Sequence, residues 1–285
     1  MTKTKKDDYK LKQLLDSMPH TKTMLMTMGY QEEQFENAQI FICASMTPES
    51  LKARTIIAHE IILDLCNNEY KLLKEIGINF TVENGKLGSI PSISFSPYIT
   101  CIGVKCFENN TCFGLHQRYN GFFKFVYSIA NSLYYIYFHK EWMRIVNGYL
   151  DAHCYKYFRW FEIGDCINAQ MFNDLNKIAL KHKRIIFMGM TKKFTFLREF
   201  LNKNEFSKNL IIMPSSDSYD NAPLPEDLKD LRHTDIIKYP EDLKNNEFLC
   251  PNYYDKKKHK KIKVKCSDCL YCWIGKKNPV FIKHQ

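Results

Sequence analysis

Two hydrophobic periods alternate along the chain. Residues 39–45 (QIFICAS) form a short apolar run of the length of a buried strand. Thr47, Pro48 and Glu49 then supply a hydroxyl N-cap, a proline at the first helical position and an acid in the first turn. Apolar residues keep a helical spacing from there to Ile76, and Gly77 stops the helix. Residues 78–82 (INFTV) read as a strand, and Asn84–Gly85 as a hairpin turn. Further on, the pattern predicts strands over 90–96, 157–163, 184–190 and 210–213, and helices over 121–150, 168–182 and 194–203. The strand starts near 157, 184 and 209 recur about every 26 residues, the period of βα units. Crossovers of that length force parallel strands with helices packed outside.

The expected fold is therefore α/β: a parallel β/α sheet, partial TIM-barrel-like, with a Cys-rich C-terminal extension. Residues 1–38 form an N-terminal arm or cap, 39–215 the barrel-like core, and 216–285 the extension, whose stretch 216–248 has weak periodicity. Function in such sheets lies in the loops at the carboxyl ends of strands. The chemically informative residues fall there: the Cys loop 97–120, the turn 162–165 (EIGD), Thr191–Lys192–Lys193, and Pro214–Ser215–Ser216. One active face is expected, with the tail folded back over it.

Composition changes this picture in three ways. A hydrophobic share of 45% and a charged share of 25% exclude wholesale disorder. A net charge of +10 favours a polyanionic partner, and the basic run 256–265 (KKKHKKIKVK) is either a phosphate-contacting element for nucleic acid or a solvated loop. The first ten residues are charged with no apolar stretch after them, and no segment has the length of a membrane span, so a cytoplasmic protein without a membrane partner is expected. No Ser-His-Asp set, phosphate loop or Gly-rich nucleotide fingerprint is present.

The cysteines carry the chemistry. There are 11, and in a reducing compartment clustered cysteines read as metal ligands. One set is Cys101, Cys106 and Cys112. Three thiolates can hold a 4Fe–4S cubane and leave one iron open. The rival is zinc, since Cys106, Cys112 and His116 have the tail spacing of a Cys-Cys-Cys-His finger. The other set is Cys250, Cys266, Cys269 and Cys272. Its C-x2-C-x2-C run with a further Cys-Pro is ferredoxin vocabulary, and zinc also uses C-x2-C pairs. Cys43, Cys66, Cys154 and Cys166 sit in apolar contexts and read as small hydrophobes, with Cys166 the one nearest the site. The aromatic stretch 122–142 covers several helix faces and reads as a core helix rather than a stacking platform. Arg159 lies mid-strand and, if inside, needs an anionic partner.

The order of strand, three-Cys loop, long helix and strand ending in an acidic Gly turn resembles radical S-adenosylmethionine (SAM) enzymes. That resemblance implies a 4Fe–4S cluster on the triplet and SAM beside it, held by Glu162, Gly164, Asp165, Lys192 and Ser215. A spacing of four and five residues between the cysteines and a turn that is not Gly-Gly-Glu depart from that pattern. A closer resemblance, over residues 82–275, is to the phage gene product 88 domain family. Its segments here are NGKLGSIPSISFSPYITC, KCFENNTCFG, FRWFEIGDCINAQMFNDLNKIA, IIFMGMTKKF, NLIIMPSS and CSDCLYCW. It implies a phage or mobile-element source, hence the host cytoplasm. The expected function is an iron–sulfur protein with a radical-SAM-like architecture that modifies a nucleic acid or protein; the alternative is a zinc-stabilised nucleic-acid-binding protein without catalysis.

Overall fold

The computed structural model describes residues 12–29, 48–109, 112–116, 122–217, 221–252, 254–255, 260–261 and 264–282. The strand expected over 39–45 and most of the basic run 256–265 lie outside them. The main helices are α1 (Pro19–Thr27), α2 (Pro48–Cys66), α3 (Lys71–Ile76), α4 (Phe122–Tyr137), α5 (His139–Asp151), α6 (Ala169–Lys181) and α7 (Phe194–Leu201). Three strands, β1 (Tyr157–Arg159), β2 (Ile186–Thr191) and β3 (Leu210–Pro214), alternate with α6 and α7 and pair in parallel in the order β1-β2-β3. The βα reading of 157–214 is thus correct.

The sheet's two faces follow from strand alternation. Phe158, Phe187, Leu210 and Ile212 turn to the helices and join Trp142, Trp160, Phe172 and Phe200 in the main core. Each such buried aromatic or aliphatic side chain contributes roughly 1.5–3 kcal/mol. Tyr157, Ile186, Met188, Met190, Ile211 and Met213 turn the other way and meet Leu87, Ile90 and Trp273. The tail therefore covers the sheet's open face. The start of the extension reaches the carboxyl-end loops, with Lys105 Nζ donating to Asn221 O at 2.9 Å and Lys192 Nζ 3.6 Å from Asp217, while the described Cys-rich part lies on the apolar, methionine-rich face.

Residues 90–96 run beside β1 but form isolated bridges rather than a full strand. Arg159 donates its amide to Pro91 O at 2.9 Å, Ile93 to Arg159 O at 3.2 Å, and Phe95 to Ile163 O at 3.0 Å. Asn131 of α4 pins this segment: its side chain exchanges two hydrogen bonds with Asn79 and donates to Ser94 O at 2.9 Å. The helix expected over 121–150 breaks at Phe138, whose φ/ψ of −127/43 is not helical. The strand expected to reach Ile163 ends at Arg159, because Phe161 takes a left-handed φ of 52°.

A second sheet was not legible in the sequence. β4 (Asp235–Ile237) and β5 (Glu247–Leu249) flank β6 (Asn278–Ile282), all parallel. A parallel bridge between Ser215 and Thr234 links it to the end of β3. Mixed α/β architecture with parallel three-stranded sheets is correct. The barrel-like closure is not seen: among the described residues the strands form two three-stranded sheets and one two-stranded antiparallel ribbon (Tyr254–Asp255 with Lys260–Lys261), none of which closes on itself. Among the described residues no helix is long and apolar enough to cross a membrane.

Candidate functional site

The triplet loop is built from short helical turns. Pro97–Thr100 ends at Cys101, Lys105–Glu108 carries Cys106, and Cys112 precedes Phe113–His116. Cys101 and Cys106 are buried and Cys112 half-buried, packed together with Val104 and Phe107. Arg54 of α2 anchors the loop by donating to Leu115 O at 2.6 Å. The Cys106 thiol and Cys112 share a hydrogen bond that holds Cys112 below the usual thiol range and Cys106 above it. Burial, reinforced by Asp165, pushes Cys101 up to about 12. The side chain of His116 lies outside the description.

The turn after β1 depends on Gly164. Its φ is +75°, and a Cβ there would stand 2.2 Å from Phe95 O, so only glycine allows this approach. Asp165 follows, 4% exposed. Its amide donates to Thr100 Oγ1 at 2.9 Å. Its carboxylate accepts from Thr191 Oγ1 at 2.6 Å, the Cys166 amide at 2.7 Å and the Lys192 amide at 2.7 Å. One buried acid thus stitches together the loops after residue 96, β1 and β2. Burial raises its carboxyl above the ordinary carboxylate range, with these bonds opposing. Lys192 Nζ lies 3.6 Å from Asp217 and 3.4 Å from Ser216 O, and Lys193 Nζ donates to Ile102 O at 2.6 Å, inside the Cys loop. Ser215 donates its amide to Thr191 O at 2.8 Å.

Gly164, Asp165, Lys192 and Ser215 are therefore brought to the same end of the sheet as Cys101, Cys106 and Cys112. Glu162 is not: its carboxylate accepts from Asn84 and from Ser92 Oγ, on the other side of the turn. Two participants were missed by sequence reasoning. Thr100 stands next to Cys101, a signal that adjacency could have supplied. Asp217, buried and acting on both Lys192 and Cys106, follows the Pro-Ser-Ser run directly.

The second thiol set lies across the sheet. Its turn Cys266–Cys269 docks on the 84–88 loop, with Cys266 donating its amide to Lys86 O at 2.8 Å and Ser267 to Leu87 O at 3.1 Å. Cys250 donates its amide to Val280 O of β6 at 2.8 Å. Burial raises the thiols of Cys250 and Cys266 and pushes Cys272 up to about 12, and the four cysteines act on one another electrostatically. Arg159, buried on the same face, is acted on by Cys272, Cys266 and Glu162 in that order.

No group of three or more His, Cys, Asp or Glu among the described residues is arranged to hold a metal ion. The donor chemistry does suit a thiolate-bound group at both places. Each set gathers cysteines from separate turns, and the second adds a buried cation that requires a counter-charge. Cys166 is fully buried beside Asp165 with Sγ 4.0 Å from Thr191 Oγ1, Cys66 is half-buried and Cys154 exposed; Cys43 lies outside the described residues. The helix 122–137 is a core element, as read from its spacing.

The family model described as gene product 88 matches residues 66–275, a span that holds both thiol sets. No curated protein and no solved structure matches the chain.

Proposed function

The chain belongs to the gene product 88 family, a phage gene-product family, and on that premise we propose that it is an iron–sulfur protein of radical-SAM-like kind. The observation that carries this reading is the joining of three thiols to the carboxyl-end loops of a parallel sheet through Asp165. Cys101, Cys106 and Cys112 would each hold one iron of a cubane and leave the fourth open. When bound, such a cluster supplies one-electron chemistry to a ligand on the open iron.

The chain's own residues would position that ligand. Gly164 keeps the β1 turn close to the Cys loop. Asp165 holds Thr191 and Lys192 in register with it. Lys192, held by Asp217, and Lys193, held on Ile102 O, place ammonium groups at the loop edge, where the SAM carboxylate would lie with Ser215 beside it. A net charge of +10 suits a nucleic acid substrate, or an acidic protein.

The test is anaerobic purification with iron and sulfide analysis, followed by reduction with SAM. Iron with sulfide, a SAM-induced change in the cluster's EPR spectrum and release of 5′-deoxyadenosine are expected. Iron without either SAM effect leaves a redox or structural cluster. Stoichiometric zinc without iron overturns the reading in favour of a zinc-stabilised nucleic-acid-binding protein.

A further inference from the structure

Resting on the iron–sulfur reading, we infer that Lys86, Arg159 and Arg232 form a cationic collar on the tail thiol set, beside Cys250, Cys266 and Cys272, which makes the C-terminal set the electron-accepting centre of the chain. Three separate elements contribute. Arg159, in β1, is 9% exposed on the tail-covered face. Its guanidinium donates to Met188 Sδ and to Phe161 O at 3.4 Å. Met188 in turn packs with Cys266, Cys272 and Trp273. Arg232, ahead of β4, clamps the turn that bears Cys272: it donates to Cys272 O at 3.0 Å, Tyr271 O at 2.8 Å and Lys277 O at 3.2 Å. Lys86 accepts the Cys266 amide on its carbonyl, and its ammonium lies 5.5 Å from the Phe281 ring centroid and acts on Cys250 and Cys266.

An arginine stays charged at any working pH, and burying that charge is costly without a counter-charge. Glu162 is the carboxylate that acts on Arg159, and its oxygens already accept from Asn84 and Ser92. Bound to a cluster, the tail cysteines would be thiolates and would supply the remaining negative charge. Four thiolates on an oxidised 4Fe–4S core make a dianion, and one added electron makes a trianion. Three cations offset that growing charge, so the reduced state gains more from the collar than the oxidised state. Net charge around a cluster is one of the levers that sets its potential. The triplet set lacks this bias, since Asp165 and Asp217 act on it together with Lys192 and Lys193. A cluster held there would take one electron from an external one-electron donor, with no proton moved and no bond broken.

The experiment uses the full-length Cys106→Ser variant, reconstituted with iron and sulfide, so that the tail cluster is read alone. Its potential is titrated anaerobically by EPR and visible absorbance. Added Lys86→Gln is expected to lower the reduction constant on the order of tenfold, ~59 mV for one electron. Lys86→Arg, which keeps the charge, is expected to restore the parent value. Arg232→Gln should move the potential in the same direction as Lys86→Gln. An unmoved potential in Lys86→Gln with full iron content overturns the collar and leaves the iron–sulfur reading standing, as does stoichiometric zinc at the tail with iron at the triplet. Absence of iron from the wild-type chain overturns both.

Discussion

Trp273 donates its indole N–H to the carbonyl of Phe158 at 3.2 Å, which ties the Cys-rich tail to the first strand of the sheet. The indole is 3% exposed and packs against Tyr157 edge to face at 6.2 Å. Because Cys272 is its neighbour, the same contact places the last thiol. Trp273→Ala should cost about 3–5 kcal/mol of stability in denaturant unfolding. Trp273→Phe, which keeps the ring and loses the donor, should cost about 1 kcal/mol. If the alanine variant unfolds at the wild-type midpoint, the tail is not part of the cooperative fold.

Asp165 joins three loops, so its carboxylate should outweigh its size. In Asp165→Asn one acceptor oxygen becomes an N–H2 that faces the donors Thr191 Oγ1, Cys166 N or Lys192 N. A loss of about 1–3 kcal/mol is expected from the mismatched buried groups. The triplet loop should loosen with it, seen as faster amide exchange in residues 100–106 than in β2.

Two glycines make a contrasting pair. Gly164→Ala puts a Cβ 2.2 Å from Phe95 O at a positive φ, whereas Gly85 has nothing within 4 Å of the same position. Gly164→Ala should reduce soluble yield and lower the melting temperature by several degrees. Gly85→Ala should leave both close to wild type.

Separate thiol sets predict separable metal. Cys106→Ser should remove the iron of the triplet set, and Cys269→Ser that of the tail set, each leaving about half the wild-type content. Cys154→Ser alters an exposed thiol outside both sets and should leave iron unchanged. Full loss of iron in either single variant would show one shared cluster instead.

His182 sets a pH dependence. It is 5% exposed, its Nε2 pairs with Asn147 Oδ1 at 2.9 Å, its Nδ1 lies 3.6 Å from Asp151, and burial holds it below the usual imidazole range. Protonation is then easier in the unfolded chain. The stability tied to the neutral ring is present above the unfolded value, about 6.5, and is lost as pH falls through it toward the folded value. The melting temperature should fall between pH 7 and pH 5, and His182→Gln should flatten that slope.

Local signals determined much of this protein. The βα rhythm of residues 157–214 was legible because periods of two and 3.6 residues are written in neighbouring side chains. The N-cap at Asn168, which accepts from the Met171 amide at 3.0 Å, obeys the same local chemistry. Cysteine spacing likewise separates two groups of thiols, and the fold holds them at different places on the sheet. Only the tertiary structure decided what long-range contact controls. β4, β5 and β6 are three to five residues long and find their partners across some 30–45 positions, so no local period marks them. Asp165 reads as a ligand residue in the sequence, and only the fold shows its carboxylate occupied by Thr191, Cys166 and Lys192. The surroundings of Arg159 were equally hidden: strand alternation sets which side of β1 it takes, but Met188 and the tail thiols arrive from distant segments. A hydrophobic pattern fixes which face is buried, whereas what covers that face is settled by packing between elements that the sequence keeps far apart.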